Sequence, residues 1–156
     1  MKRVAVVPGS FDPVTLGHVD LACRAAEIFG SCEVVVMNNR DKTYRFSMEE
    51  RLELCRKAFH PYSNIRVFSY EGMLYEYLNG RAEETVLVKG IRNETDYLYE
   101  KRMASYNLEH SGVETLYLDA NEELSRISST LVREKMDKNE EWNHLVSKEI
   151  VDCLKK

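Results

Sequence analysis

The stretch VVPGSFDPVTLGHVDLA, residues 6–22, passes from strand to loop to helix within a few positions. Its Val-rich run stops at the breakers Pro8-Gly9 and continues through Ser10, Phe11 and the turn former Asp12-Pro13. At Gly17-His18 helical spacing begins, with Leu21, Ala22, Ala25, Ile28 and Phe29 on one face. The first turn of a helix carries free N–H groups and a partial positive charge, which suits an anion. A histidine at that point suggests a phosphate that is held and also stabilised while it reacts. Gly9 and Gly17 allow close backbone approach, and Ser10 offers a hydroxyl and an N–H.

The same strand-then-helix unit recurs. Strand-like runs occupy 3–8, 32–38, 64–69, 84–90 and 113–119, nearly continuous in apolar residues, as in a parallel sheet buried on both faces. Between them Met48, Leu52, Cys55 and Phe59 share a helical face, as do Tyr99, Met103 and Tyr106. Ser47 and Glu50 form a capping box that opens the second helix, and Gly30 fits the end of the first. In the tail, residues 140–156, Trp142, Val146, Ile150 and Cys153 fall on one face of a final amphipathic helix. The expected fold is α/β: a single domain, residues 1–156, with a doubly wound, Rossmann-like five-stranded parallel sheet, helices on both faces and a C-terminal helix. Its ligand site lies beyond the carboxyl ends of the strands, where Ser10 and His18, Lys42, Gly72 to Leu74, Lys89 to Arg92 and Ser128 to Thr130 should converge.

Composition narrows the partners. The 156 residues are 44% hydrophobic and 31% charged, a globular balance, and the net charge of −4 argues against a general nucleic-acid or membrane-surface binder. A polyanion must therefore meet a local basic cluster. Cys23, Cys32, Cys55 and Cys153 form no C-x-x-C pair and sit in apolar patterns, so they read as reduced and mostly buried, favouring the cytoplasm. The opening MKRVAVVPG breaks too early for a signal peptide or membrane span, so no export is expected.

Three segments carry the chemistry. In GSFDPVTLGH, residues 9–18, a Gly-His pair alone is most simply a loop and a solvated ring, whereas the ten-residue pattern is specific. In VLVKGIRNETDYLYE, residues 86–100, Lys89 offers a point charge and Arg92 a planar fork, with Gly90 between; two such charges are ordinarily a solvated pair. In LSRISSTLVREK, residues 124–135, hydroxyls at Ser125, Ser128, Ser129 and Thr130 precede a helix, which is most often an N-cap and is also an anion site.

Together these resemble the nucleotidyltransferases with a T/S-F-D-P-x-T/H-x-G-H signature. Thr15, the K-G-I-R segment followed by Asp96, Tyr99 and Glu100, and Lys42 before Phe46, Glu50 and Arg51 resemble the branch that adenylates phosphopantetheine. The resemblance spans most of residues 4–135. It implies that His18 stabilises the transition state at the α-phosphate of ATP, with Lys42 and Arg92 as further catalytic groups. It implies ATP contacts from Ser10, Phe11, His18, Gly90, Ile91, Arg92, Glu100, Leu124, Ser125, Arg126, Ile127, Ser128, Ser129 and Thr130. The acceptor, 4′-phosphopantetheine, would meet Ser10, Lys42, Met73, Leu74, Lys89 and Asn107. Lys89 stands where the family usually has arginine, and Arg40 and Arg45 are basic neighbours of Lys42.

The implied reaction transfers AMP to the acceptor and releases pyrophosphate. No motif supplies a protein nucleophile, and none is required: a phosphate monoester with a second pKa of about 6 is largely dianionic at neutral pH and can attack directly. Mg²⁺ on the phosphates would need few protein ligands, and no protein ligand to a metal is expected. The resemblance also implies a homohexamer, feedback by coenzyme A and a place in coenzyme A synthesis. Another acceptor such as nicotinate mononucleotide, or a nucleotide sensor without turnover, are the competing readings.

Overall fold

The computed structural model describes residues 3–155. Five parallel strands, β1 (Val4–Gly9), β2 (Cys32–Met37), β3 (Ile65–Tyr70), β4 (Thr85–Ile91) and β5 (Thr115–Asp119), form one sheet in the order β3-β2-β1-β4-β5. Each lies within about two residues of its expected place. The chain reverses direction across the sheet between β1 and β4, where Ala5 pairs with Val86 on one side and Cys32 on the other. A crevice at such a switch point is where open α/β sheets bind ligands.

Strand pleating sends alternate side chains to opposite faces. Val7, Val34, Val36 and Val88 enter the larger core with helices α1 (Leu16–Phe29) and α2 (Met48–Phe59), α5 (Ser129–Asp137) and α6 (Lys148–Leu154). Val6, Val35 and Leu87 face a smaller core with Leu78 and Val113, on the side of α3 (Leu74–Leu78) and α4 (Glu94–Ser111). α1 ends at Gly30, whose φ of 93° is the left-handed cap that glycine adopts without a Cβ clash. Ser47 and Glu50 complete the capping box of α2.

Three helix faces differ from expectation. Ile28 is exposed, because α1 buries Val19, Ala22, Ala25 and Ala26 instead. Tyr99, Met103 and Tyr106 are exposed, and Asn107 is the buried residue of α4. The tail is not one helix: Asn143–Leu145 is a single 3₁₀ turn, Val146 is extended, and α6 starts only after Ser147. With this turn Leu145, Val146 and Ile150 all reach the core. Cys32 and Cys55 are buried, whereas Cys23 and Cys153 are half-buried; all four are free thiols. Among the described residues no helix is long and apolar enough to cross a membrane.

Candidate active site

Beyond β1 and β4 opens a cavity of about 350 Å³. Gly9, Phe11, Thr15, Gly17 and His18 line one side; Lys89, Gly90, Arg92, Asp96 and Glu100 line the next; Leu124, Ile127, Ser128, Ser129 and Thr130 close the third. The loops after the first, fourth and fifth strands therefore converge, as the strand order requires.

The loop between β1 and α1 is held from below. Arg51 on α2, 1% exposed, donates to the carbonyls of Ser10, Met37 and Phe46 at 3.0 Å each and to Oδ1 of Asn38, and it lies 4.1 Å from the centre of the Tyr44 ring. Buried Asp12 accepts the N–H groups of Arg45 at 2.9 Å and Phe46 at 3.0 Å. Arg133 donates to the Asp12 carbonyl at 2.7 Å. Phe11 takes a φ of 50°, rare for a bulky residue, and its buried ring meets the His18 ring edge-on at 4.9 Å. At Gly9 a Cβ would stand 3.1 Å from that Phe11 ring, so the close approach favours glycine.

His18 is the third residue of α1 and completes a capping box in the position where glutamate is usual. Thr15 Oγ1 accepts the His18 N–H at 3.4 Å, and the Thr15 N–H donates to His18 Nδ1 at 2.9 Å. An Nδ1 that accepts a backbone proton cannot carry its own, so the neutral ring bears its hydrogen on Nε2. Burial of the ring, with the Arg92 guanidinium adding repulsion, lowers its pKa to about 4. His18 is thus a neutral Nε2–H donor at physiological pH.

The two cations of the K-G-I-R segment are matched by acids from α4. Lys89 Nζ lies 3.5 Å from Glu100 Oε2, and Arg92 Nε donates to Asp96 Oδ2 at 3.1 Å. At the third wall the hydroxyls are partly committed to structure: Ser128 caps α5 by accepting the Leu131 N–H at 3.1 Å, Ser129 Oγ donates to the Pro13 carbonyl at 2.7 Å, and Thr130 Oγ1 accepts from Arg133 at 3.1 Å. The N–H groups of Ser129 and Thr130 in the first turn lack intrahelical partners by helix geometry, which leaves them free to meet an anion.

The remaining expected residues lie outside this cavity wall. Ser10 bonds Tyr44 through its hydroxyl at 3.3 Å, while Lys42 and Met73 are exposed and Leu74 is half-buried at the start of α3. Lys42, Met73 and Leu74 follow β2 or β3, the half of the sheet away from β4 and β5, so the strand order separates them from the cavity, whereas Ser10 lies between the lining residues Gly9 and Phe11. Arg45 pairs with Asp137 at 2.6 Å, and Arg40 is exposed. Ile91 ends β4 with its carbonyl bonded to the Ala120 N–H at 3.0 Å; Ser125 Oγ donates to the Glu122 carbonyl at 2.9 Å; Arg126 is exposed. Asp20, Leu21, Arg24 and Asn121 line the cavity without having been singled out. The spacing places Leu21 on the core face of α1, and Asp20 and Arg24, four residues apart, are the available sign of a second polar stripe facing the cleft. Among the described residues no three or more His, Cys, Asp or Glu side chains are grouped to hold a metal ion.

Residues 6–135 match the cytidylyltransferase-like family model. The chain is 41% identical to the phosphopantetheine adenylyltransferase of Streptomyces coelicolor over 97% of its own length and 95% of the relative's. It is 40% identical to the phosphopantetheine adenylyltransferase of Clostridium perfringens, over 97% and 93% respectively. The chain belongs to the phosphopantetheine adenylyltransferase family. It is accordingly a nucleotidyltransferase, and the cleft at the β1/β4 switch point lies where an enzyme of this fold works.

Proposed function

We propose that the protein transfers AMP from ATP to 4′-phosphopantetheine, giving 3′-dephospho-coenzyme A and pyrophosphate. One observation carries the mechanism: His18 is fixed as a neutral Nε2–H donor beside Arg92 and the N-terminus of α5 in one cleft. That arrangement supplies directed donors to oxygens that gain charge during in-line transfer at phosphorus, where positioning and electrostatics are most of the catalysis.

In this reading the α-phosphate lies against His18 and the outer phosphates against the free N–H groups that open α5. Lys89 and Arg92 exchange their contacts with Glu100 and Asp96 for phosphate oxygens, and the phosphate dianion of the acceptor attacks without a protein nucleophile. The acceptor arm runs over the β1-β2-β3 half, past Ser10, Lys42, Met73 and Leu74, toward Asn107. The phosphates would carry Mg²⁺ held mainly by their own oxygens and water, with few protein ligands. When bound, Mg²⁺ would neutralise charge on the phosphate oxygens.

The same proposal includes a homohexamer, feedback by coenzyme A, which carries the acceptor's arm, and work in the cytoplasm as a step of coenzyme A synthesis. Assembly is supported by α4, where Leu98 and Tyr99 are 56% and 61% exposed, an apolar face that a further copy would cover. The test is pyrophosphate release with Mg²⁺ and ATP, with and without 4′-phosphopantetheine, beside His18→Ala. Release that needs both substrates and collapses in the variant is expected. Binding of ATP with no release would overturn this acceptor.

A further inference from the structure

The nucleotide cleft has two ends, and they are fastened differently. At the phosphate end α5 is tied to the loop before α1 by Ser129 to the Pro13 carbonyl at 2.7 Å and Arg133 to the Asp12 carbonyl at 2.7 Å. At the far end the wall is the segment from Ala120 to Ile127, which contributes Asn121, Leu124 and Ile127. Its backbone hold on the sheet at its start is the Ala120 N–H on the Ile91 carbonyl at 3.0 Å. Opposite stands α1, and there Arg24 crosses the gap: its Nη1 donates to the Asp119 carbonyl at 2.8 Å and, at 3.4 Å, to Asp20 Oδ2 one turn earlier on α1.

We infer that Arg24 is a positioning residue that sets the width of the cleft at its nucleoside end. The carbonyl it grips belongs to the last residue of β5, immediately before the wall segment, so the bond fixes the point from which that segment departs. Asp20 holds the guanidinium in place from the same helix, and the two N–H groups of Nη1 can serve both acceptors at once. The triphosphate end has its own two ties and does not depend on Arg24. This inference rests on the nucleotide-transfer reading, and it predicts a separation that the reading alone does not: Arg24 governs the adenosine part of ATP and not the phosphates.

The experiment compares ATP with inorganic tripolyphosphate, which lacks the nucleoside, by calorimetric binding to the full chain. Arg24→Ala is expected to weaken ATP about tenfold, an ordinary coupling between a remote residue and a binding site, while tripolyphosphate binding stays within about twofold of the parent. Arg24→Lys, which keeps the charge and N–H donors on a differently shaped head, should fall between. In the ligand-free Arg24→Ala protein the Ala120 amide should exchange with solvent faster, a change that a residue merely touching the ligand would not cause. Equal weakening of both ligands, no weakening of ATP, or an unchanged Ala120 exchange rate would overturn the inference while leaving the reaction intact. A parent protein that binds no ATP would overturn the nucleotide-transfer reading and this inference with it. Thermal melts of both variants identify a collapsed Arg24→Ala protein, and in that event the Arg24→Lys comparison decides the question on the same criteria.

Discussion

The backbone N–H of Thr15 donates to Nδ1 of His18 at 2.9 Å, closing a ring in which the helix cap and the histidine tautomer are one structure. Protonating Nδ1 would turn that acceptor into a donor facing another donor, which adds to the cost of charging a half-buried ring. Proton-detected nitrogen NMR of the ligand-free protein should find the Nε2–H tautomer of His18 from pH 8 down to about pH 5, one unit above its pKa of about 4. A ring that titrates near the ordinary value of 6.5 would contradict this account.

The same shift makes stability depend on pH. Because the folded-state pKa of about 4 lies below the ordinary 6.5, the unfolded chain takes up the proton first between those values. The contribution is flat above 6.5, and stability falls as the pH drops from 6.5 toward 4. Urea titrations at several pH values should show a shallower acid loss for His18→Ala than for the parent.

Thr15→Val separates the two halves of the ring. It keeps the backbone N–H on Nδ1 and removes the hydroxyl that caps the His18 N–H, so the tautomer should persist while stability drops by about 1 kcal/mol. The tautomer is read by NMR and the loss by denaturation.

Arg51 is buried and, among the described residues, has no carboxylate partner; its charge is met by the carbonyls of Ser10, Met37 and Phe46, the Asn38 amide oxygen and the face of Tyr44. Arg51→Met would strand several buried acceptors and should cost about 3 kcal/mol or more. Arg51→Lys should recover only part of this, since one ammonium cannot reach acceptors spread over a fork. Equal stability of the lysine variant and the parent would show that the fork geometry is unimportant.

Placing a charge on the exposed face of α4 tests assembly. Leu98→Glu should reduce the particle size in analytical ultracentrifugation with the circular dichroism of the monomer intact, because Leu98 has little to lose within its own chain.

The central strands β1, β2 and β4 were legible because a short Val-rich run buried on both faces suits a parallel sheet, whereas the edge strands β3 and β5 expose Phe68 and Leu116; the β1–α1 loop was legible because its pattern is long. α4 misled for a physical reason: Tyr99, Met103 and Tyr106 have the spacing of a core face, and spacing cannot say whether the covering surface belongs to the same chain. The break at Ser147 carried a faint sign, a serine before the acid-bearing turn Lys148-Glu149, that the surrounding apolar spacing outweighed. Arg51 sat inside a matched pattern, yet nothing in a sequence tells a buried arginine from a solvated one on a helix. Arg24 and Asp20 were hidden for a related reason, since only the three-dimensional path of β5 puts a carbonyl in their reach.

Strand order has a consequence for how the molecule comes into being. β1 can pair with β2, and β2 with β3, as soon as those neighbours are made, whereas the other edge of β1 must wait for Val4 to find Thr85, a contact between distant parts of the chain. Closing so large a loop is entropically slow, and the cleft exists only once it has closed. Nascent chain ending before β4 would carry the histidine and its cap with no opposite wall, so the capacity to bind nucleotide should arise late, in the same event that completes the sheet.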